Sequence, residues 1–286
     1  WKYTLISLGI LIPVIVVSFL FYNHSKFKKA KLECEYYIKN IVTKPYSNIG
    51  DDIKIKYFNQ CKIATDYGDA TSQYNFGKFF DHEYGNIDHP SIHKDNKIAI
   101  KWYKKSANSG EINAQKELAK IYYYGKNIAK DYQEAFKWYK MAAKQNDTES
   151  ELMVAKMYFN GEGIIKNFYE AFYWFQKAAD KDNKEAQFYL GTMYYYGYGT
   201  TKNPYSADSL YKKVTEDDYM TFKICGQYLD DQLDLEKHPE LIRFMKVAAE
   251  KKHIYCANML GNIYLWGYGV KQDYAEAFHW YQMTAN

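Results

Sequence analysis

The apolar positions of this chain fall in one order that keeps returning. Between Trp174 and Gly199 an aromatic pair (Trp174, Phe175) is followed by a small pair (Ala178, Ala179). After a polar stretch come Ala186, Leu190-Gly191, Tyr194, and then Gly197 and Gly199. The same order starts again at Trp138 and at Phe244, and at Trp102 with the glycine pair reduced to Gly125. The anchors Trp102, Trp138, Trp174, Leu210, Phe244 and Trp280 lie 36, 36, 36, 34 and 36 residues apart. A fixed period of this size marks a helical repeat array, in which each unit buries its apolar face against its neighbours.

Turn chemistry divides each unit into two helices. In the copy anchored at Trp174 the first helix is predicted from Lys184 to Tyr196, ended by Gly197 and Gly199, where positive φ costs little. The second starts after Asn203, whose side chain can cap free backbone donors. Asp131, Asn167 and Asp273 hold the equivalent place, and Ala135, Ala171, Ala207 and Ala277 follow four residues later, allowing close helix approach. Trp138, Trp174 and Trp280 then fill the space between helices. The result expected is an antiparallel helical hairpin repeated along a superhelix. Asp51 to Thr65 reads as the second helix of an incomplete entry unit, and the pattern resumes at Tyr67–Gly77. The Leu210 unit departs furthest, with Val214-Thr215 for the alanine pair and Asp230-Asp231-Gln232 in place of the glycine turn. Ile87–Asn96 is an insertion, and the chain, ending inside a second helix, is expected to continue past Asn286.

The pattern A-x-x-W-Y-x-x-A-A followed by L-G-x-M-Y-x-x-G-x-G resembles the Sel1-like repeat family, a relative of the tetratricopeptide repeats, over roughly residues 51–286. The resemblance implies an all-α fold, a right-handed α-solenoid of Sel1-like, TPR-like hairpins whose first helices line an inner, concave wall. It also implies an adaptor role in binding other proteins.

Ahead of the repeats, Tyr3–Tyr22 runs twenty residues without a charge, long enough to cross a bilayer as a helix. Trp1, Tyr3, Phe21 and Tyr22 suit the interfacial belts. A cleaved signal peptide has a shorter apolar core and a small-x-small site, and none follows Phe21. Residues 1–24 are therefore read as a retained transmembrane anchor, 25–50 as a helical stalk and linker broken at Pro45–Gly50, and 51–286 as the repeat solenoid. The protein is expected in a membrane, single-pass, in the bacterial inner membrane. Lys26, Lys28, Lys29 and Lys31 would place the repeats in the cytoplasm, but with only Lys2 visible before the span the side remains open between cytoplasm and periplasm.

Composition changes this picture at two points. The net charge of +4 and the lack of a basic stripe interleaved with stacking aromatics give no nucleic-acid footprint. The 32 tyrosines supply packing area with a polar tip that suits a half-exposed binding surface. Cys34, Cys61, Cys225 and Cys256 occupy no repeated position and form no CxxC, so neither a disulfide ladder nor a zinc ribbon is expected. Cys256 stands where Ala114 and Ala186 stand and reads as a small buried residue. No nucleophile elbow, phosphate loop, HExxH or dinucleotide fingerprint is present, and no catalytic residue or cofactor is assigned. His82, His89 and His93 in the insertion are the one metal-like cluster, with a spacing that matches no established zinc pattern.

Tyr122, Tyr158, Tyr194 and Tyr264 match the family tyrosine and read as core. After them come Tyr123, Tyr124, Phe159, Tyr195, Tyr196 and Trp266, which the repeat pattern leaves free; a residue adjacent to a core position on a helix points about 100° away from it. They form a candidate aromatic stripe for a protein or peptide partner, since Tyr and Trp dominate interface hot spots. The competing reading is that these rings thicken the packing between repeats. The expected function is thus a membrane-tethered scaffold or adaptor. Alternatives that the resemblance carries are an envelope immunity or effector-capture protein and a β-lactamase-like hydrolase, whose regular paired cysteines are absent here; a structural spacer completes the set.

Overall fold

The computed structural model describes residues 20–36, 51–81, 94–226 and 235–285, and among them every regular element is helical. They fall into two compact units, residues 1–131 and 132–286. The first unit holds α1 (residues 20–36), α2 (Asp51–Asp66), α3 (Ala70–Asp81), α4 (Asn96–Asn108) and α5 (Ile112–Tyr124). The second holds α6 (Tyr132–Lys144), α7 (Thr148–Asn160), α8 (Phe168–Asp180), α9 (Lys184–Tyr196), α10 (Pro204–Val214), α11 (Asp218–Gly226), α12 (Pro239–Glu250), α13 (Ile254–Trp266) and α14 (Tyr274–Ala285). Among the described residues no helix is long and apolar enough to cross a membrane. The apolar run Tyr3–Tyr22 lies outside them except for its last three residues, as does the breaker Pro45–Gly50.

In the second unit the expected caps hold the helix starts. Asn167 accepts from the backbone N–H groups of Tyr169 and Glu170, Asn203 from Ser206, and Asp273 from Ala275 and Glu276. Gly161, Gly197 and Gly267 end α7, α9 and α13 in the left-handed conformation. The second glycine of each pair has a separate reason. A Cβ on Gly199 would sit 2.2 Å from the carbonyl oxygen of Phe168, so only glycine lets the α9–α10 turn touch the start of α8. Ala171, Ala207 and Ala277 are buried, which lets the second helices approach their neighbours closely. Trp138, Trp174 and Trp280 are buried behind them, and each indole N–H donates to the glutamate one turn earlier: Glu134, Glu170 and Glu276. The glycine of the Leu-Gly step is a docking surface for the tyrosine that follows an anchor. A Cβ on Gly191 would meet the Tyr211 ring at 2.5 Å, and one on Gly261 the Tyr281 ring at 2.5 Å.

The first unit is built the same way on fewer elements. Phe58 of α2 packs on Phe76, Phe79 and Phe80 of α3, and Phe76 meets Trp102 of α4 edge to face. Residues 25–36, read from sequence as a stalk, are held here: Ala30 and Cys34 are buried, Phe27 packs on Tyr67, and Lys31 pairs with Asp69 at 2.7 Å.

The cysteine expectation is overturned. Cys34 is bonded to Cys61, joining α1 to α2, and Cys225 to Cys256, joining α11 to α13, so no cysteine is free. Cys256 is buried in the position of Ala186, as its place in the repeat required, but the neighbour it meets there is another cysteine. The partners are 27 and 31 residues apart in sequence, and nothing in a one-dimensional spacing distinguishes that from coincidence.

A buried carboxylate locks α7 to the end of α8. Glu151 is fully buried, and Lys181 donates to both its oxygens, at 2.8 and 2.7 Å, and to the carbonyl of Asn146 at 2.8 Å. Lys177 stands 3.6 Å away. Gln187 occupies the same place in α9, with its amide reaching the carbonyl of Ala179 instead.

Two measurements test this framework. Disulfide loops of this length stabilise by about 3 kcal/mol each, so the paired change Cys225→Ser with Cys256→Ser should lower the urea unfolding free energy by about that amount, and reductant should then cost the variant less than the parent. Removing one partner of a buried ion pair costs roughly 3–5 kcal/mol, reduced here because Lys181 is a third exposed. Glu151→Ala should therefore cost about 2 kcal/mol by urea unfolding, and Glu151→Gln clearly less, because glutamine is already accommodated at this helix position.

Candidate functional site

The six residues of the predicted stripe divide between the two units and fare differently. In the first unit Tyr123 and Tyr124 close α5, their rings edge to face at 5.0 Å, with Tyr123 half-buried and Tyr124 63% exposed. In the second unit Phe159 sits inside an aromatic cluster. It contacts Phe168, Phe175, Tyr189 and Tyr198, while Phe168 stacks on Tyr198 at 4.5 Å and Tyr198 on Tyr196 at 5.0 Å. Tyr195 and Tyr196 are half-buried beside it, and Trp266, at the end of α13, is 64% exposed next to the exposed Tyr268. Phe159 and Tyr196 thus have packing roles, whereas Tyr124 and Trp266 present most of their surface to solvent. Of the tyrosines read as core, Tyr158 is buried; Tyr122, Tyr194 and Tyr264 are half-buried.

Charges organise the cluster from the side. Arg243 of α12 grips Asp208 of α10 with two hydrogen bonds of 2.6 Å and lies over the Tyr195 ring, which Lys202 also approaches. The hydrogen bond that Arg243 donates to Asp208 is the main reason that its pKa is raised. Tyr196 donates its hydroxyl to Glu240, whose other oxygen meets His238. Burial, then that hydrogen bond and the carboxylate charge, push the Tyr196 pKa well above its ordinary value, so the phenol stays a donor. Tyr196 therefore serves as a tie between α9 and α12.

A second strip runs along the first helices. Phe175 stacks on Tyr189 of α9, Lys156 of α7 sits over the same Tyr189 ring, and Lys156 and Lys223 of α11 both reach Glu185. Burial works to raise the Glu185 pKa, but the hydrogen bond and charge of Lys156, with Lys223 behind it, lower it below the usual value. Phe222 and Tyr255 meet at 4.4 Å beside the Cys225–Cys256 bond. Such a surface, aromatic faces flanked by fixed charges, can grip a protein segment by ring contacts and charge-assisted hydrogen bonds. Among the described residues no group of His, Cys, Asp and Glu could hold a metal ion, and His82, His89 and His93 lie outside them.

Sequence reasoning missed Tyr198, Arg243, Glu240 and Lys156. Tyr198 was legible as the residue inside a Gly-x-Gly turn. The others are single charges whose partners are set by the packing of separate helices, and no local pattern announces that.

With this geometry in place, comparison with known proteins is informative. The Sel1 repeat pattern matches residues 70–111, 112–147, 148–183, 184–213 and 254–286, more than half of the chain. Among curated proteins no sequence matches. The structure resembles c5321, a protective antigen of uropathogenic Escherichia coli strains displaying an SLR fold, with a TM-score of 0.59, 22% identity, and coverage of 93% of this chain and 54% of that one. It also resembles a Sel1 repeat protein from Oxalobacter formigenes, with a TM-score of 0.56, 19% identity, and coverage of 92% and 72%. The immunity protein Pa5087 from Pseudomonas aeruginosa matches at a TM-score of 0.35 with 18% identity over 76% of this chain and 81% of that one, too remote to carry an argument. At these identities the likeness is one of fold.

The Glu185 pair has a pH signature. A depressed carboxylate pKa contributes stability that is present above the unfolded value, about 4.3, and lost as pH falls through the folded one. Urea midpoints of the parent and Glu185→Gln should differ most at neutral pH and converge as pH falls toward 3.

Proposed function

This chain belongs to the Sel1 repeat family, and we propose that it is a protein-binding scaffold whose first-helix aromatics engage a partner protein or peptide. One observation carries the reading. Trp266 lies on α13, a helix buried elsewhere through Cys256, Leu260, Gly261 and Ile263, yet keeps 64% of its surface exposed. Tyr124 of α5 does the same at 63%. Tryptophan and tyrosine are the residues that alanine scanning finds at interface hot spots, and a large exposed indole has little else to gain from its position.

The scaffold is tethered, on this reading, through Tyr3–Tyr22 to a membrane, with the repeats on its oxidising side. Disulfides form and persist in the periplasm or outside the cell and are rare in the cytosol. Two of them, with no free thiol, outweigh the four lysines after the apolar run that pointed the other way.

Site-specific photocrosslinking in the producing cell tests the binding surface. A benzophenone side chain placed at 124 or at 266 should give one discrete adduct from each. Placed at 169, where Tyr169 of the second helix α8 is 77% exposed, it should give none. Equal adducts from all three positions, or none from any, would sink the proposal. The compartment is tested by treating membranes with a maleimide of 5 kDa before and after reduction: no shift before and four added masses after are expected, and immediate labelling would return the repeats to the cytosol.

A further inference from the structure

α1 is held to the protein on one side only. Phe27 packs on Tyr67, Ala30 and Cys34 are buried, Lys31 pairs with Asp69, and Cys34 is bonded to Cys61. At about 100° per residue, these four side chains fall within roughly a third of the helix circumference. Phe21, Ser25, Lys28, Lys29, Leu32 and Tyr36 fall on the opposite half.

That opposite half is unlike an ordinary solvated face. Phe21 is 72% exposed, and Leu32 and Tyr36, one turn apart, are each 57% exposed. Lys28 and Lys29 stand between them, exposed and with no carboxylate in reach among the described residues. The two acidic residues of α1 are half-buried: Glu35 lies 3.9 Å from Lys31, and Glu33 buries one of its carboxylate oxygens. Where α1 begins, Leu20, Phe21 and Tyr22 point in three directions and are all mostly exposed, so no protein surface covers this end of the uncharged run. A single exposed leucine is unremarkable in a soluble protein. Apolar side chains at helical spacing, flanked by lysines and free of carboxylates, are the pattern of a helix that lies in a membrane interface.

We propose that this face of α1 rests in the plane of an anionic bilayer, with Phe21, Leu32 and Tyr36 at the acyl-chain boundary and Lys28 and Lys29 on lipid phosphates. Two observations select that occupant: the face offers cations without acids, and it continues directly from the uncharged Tyr3–Tyr22 run. The proposal goes beyond the tether, which concerns Tyr3–Tyr22 alone. The Cys34–Cys61 bond and the Lys31–Asp69 pair then fix the first unit to a membrane-bound helix. Residues 25–36 are on this account a platform rather than a spacer.

Power-saturation EPR of the full chain in vesicles tests this, with a nitroxide on a cysteine introduced at 16, 25, 32 or 108, the native cysteines being disulfide-bonded. In mixed phosphatidylglycerol and phosphatidylcholine, labels at 25 and 32 should be reached by oxygen in preference to a nickel chelate. A label at 108, at the exposed end of α4, should stay in water. Each lysine near an anionic surface strengthens binding by about fivefold, so Lys28→Glu with Lys29→Glu should weaken immersion by roughly tenfold or more. Phosphatidylcholine alone should likewise return both labels to water. The label at 16 reads the tether separately. Immersion at 16 with 25 and 32 in water would overturn the proposal and leave the tether standing, whereas the reverse result would remove the tether and support the proposal. Immersion that persists in the double variant would overturn it. So would spin–spin broadening at 32 without oxygen access, which would assign the face to a second copy of the chain.

Discussion

Close approach of helices at alanine and glycine is the constraint on which the rest of this molecule depends. Ala171, Ala207, Ala178 and Ala186 are buried with essentially no accessible surface, and Gly191 and Gly261 leave room for the rings of Tyr211 and Tyr281. Once backbones are that near, each anchor ring has only one slot to fill, and its polar atom must be satisfied locally. The Trp–Glu hydrogen bonds one turn back do this in three repeats. The glycine at 199 follows from the same demand, since its turn rests directly on the backbone of the preceding hairpin.

Where that packing fails, covalent bonds appear. The repeat pattern begins at residue 70 and lapses between 213 and 254. Cys34–Cys61 ties together two helices ahead of the first match, and Cys225 in the lapse is tied to Cys256 in the repeat after it. α11 has nine residues and supplies few buried side chains of its own, so a crosslink that limits the unfolded chain replaces part of what a full-length helix contributes by burial.

Departure from the repeat changes individual contacts as well as stability. Glu151 and Gln187 occupy one structural position with one residue's difference in chemistry and two residues' difference in the following helix. The first accepts from Lys181, and the second donates to Asp182 and to the carbonyl of Ala179. The aromatic surface is likewise uneven: Tyr196 is consumed by packing, while Tyr124 and Trp266, at the same helical register, are mostly exposed.

The sequence by itself determined the repeat period, the two-helix unit, the bounds of α9 from Lys184 to Tyr196, and the caps at Asn167, Asn203 and Asp273. All of these are written in residues within one unit, where local backbone preference and apolar spacing act. It also marked the Leu210 unit as irregular. Tertiary structure alone decided which cysteines meet, which stripe residues are buried, and where Lys181 finds Glu151. Those outcomes depend on side chains some 30 residues apart being brought together by stacking, and the identity of neither partner announces the other.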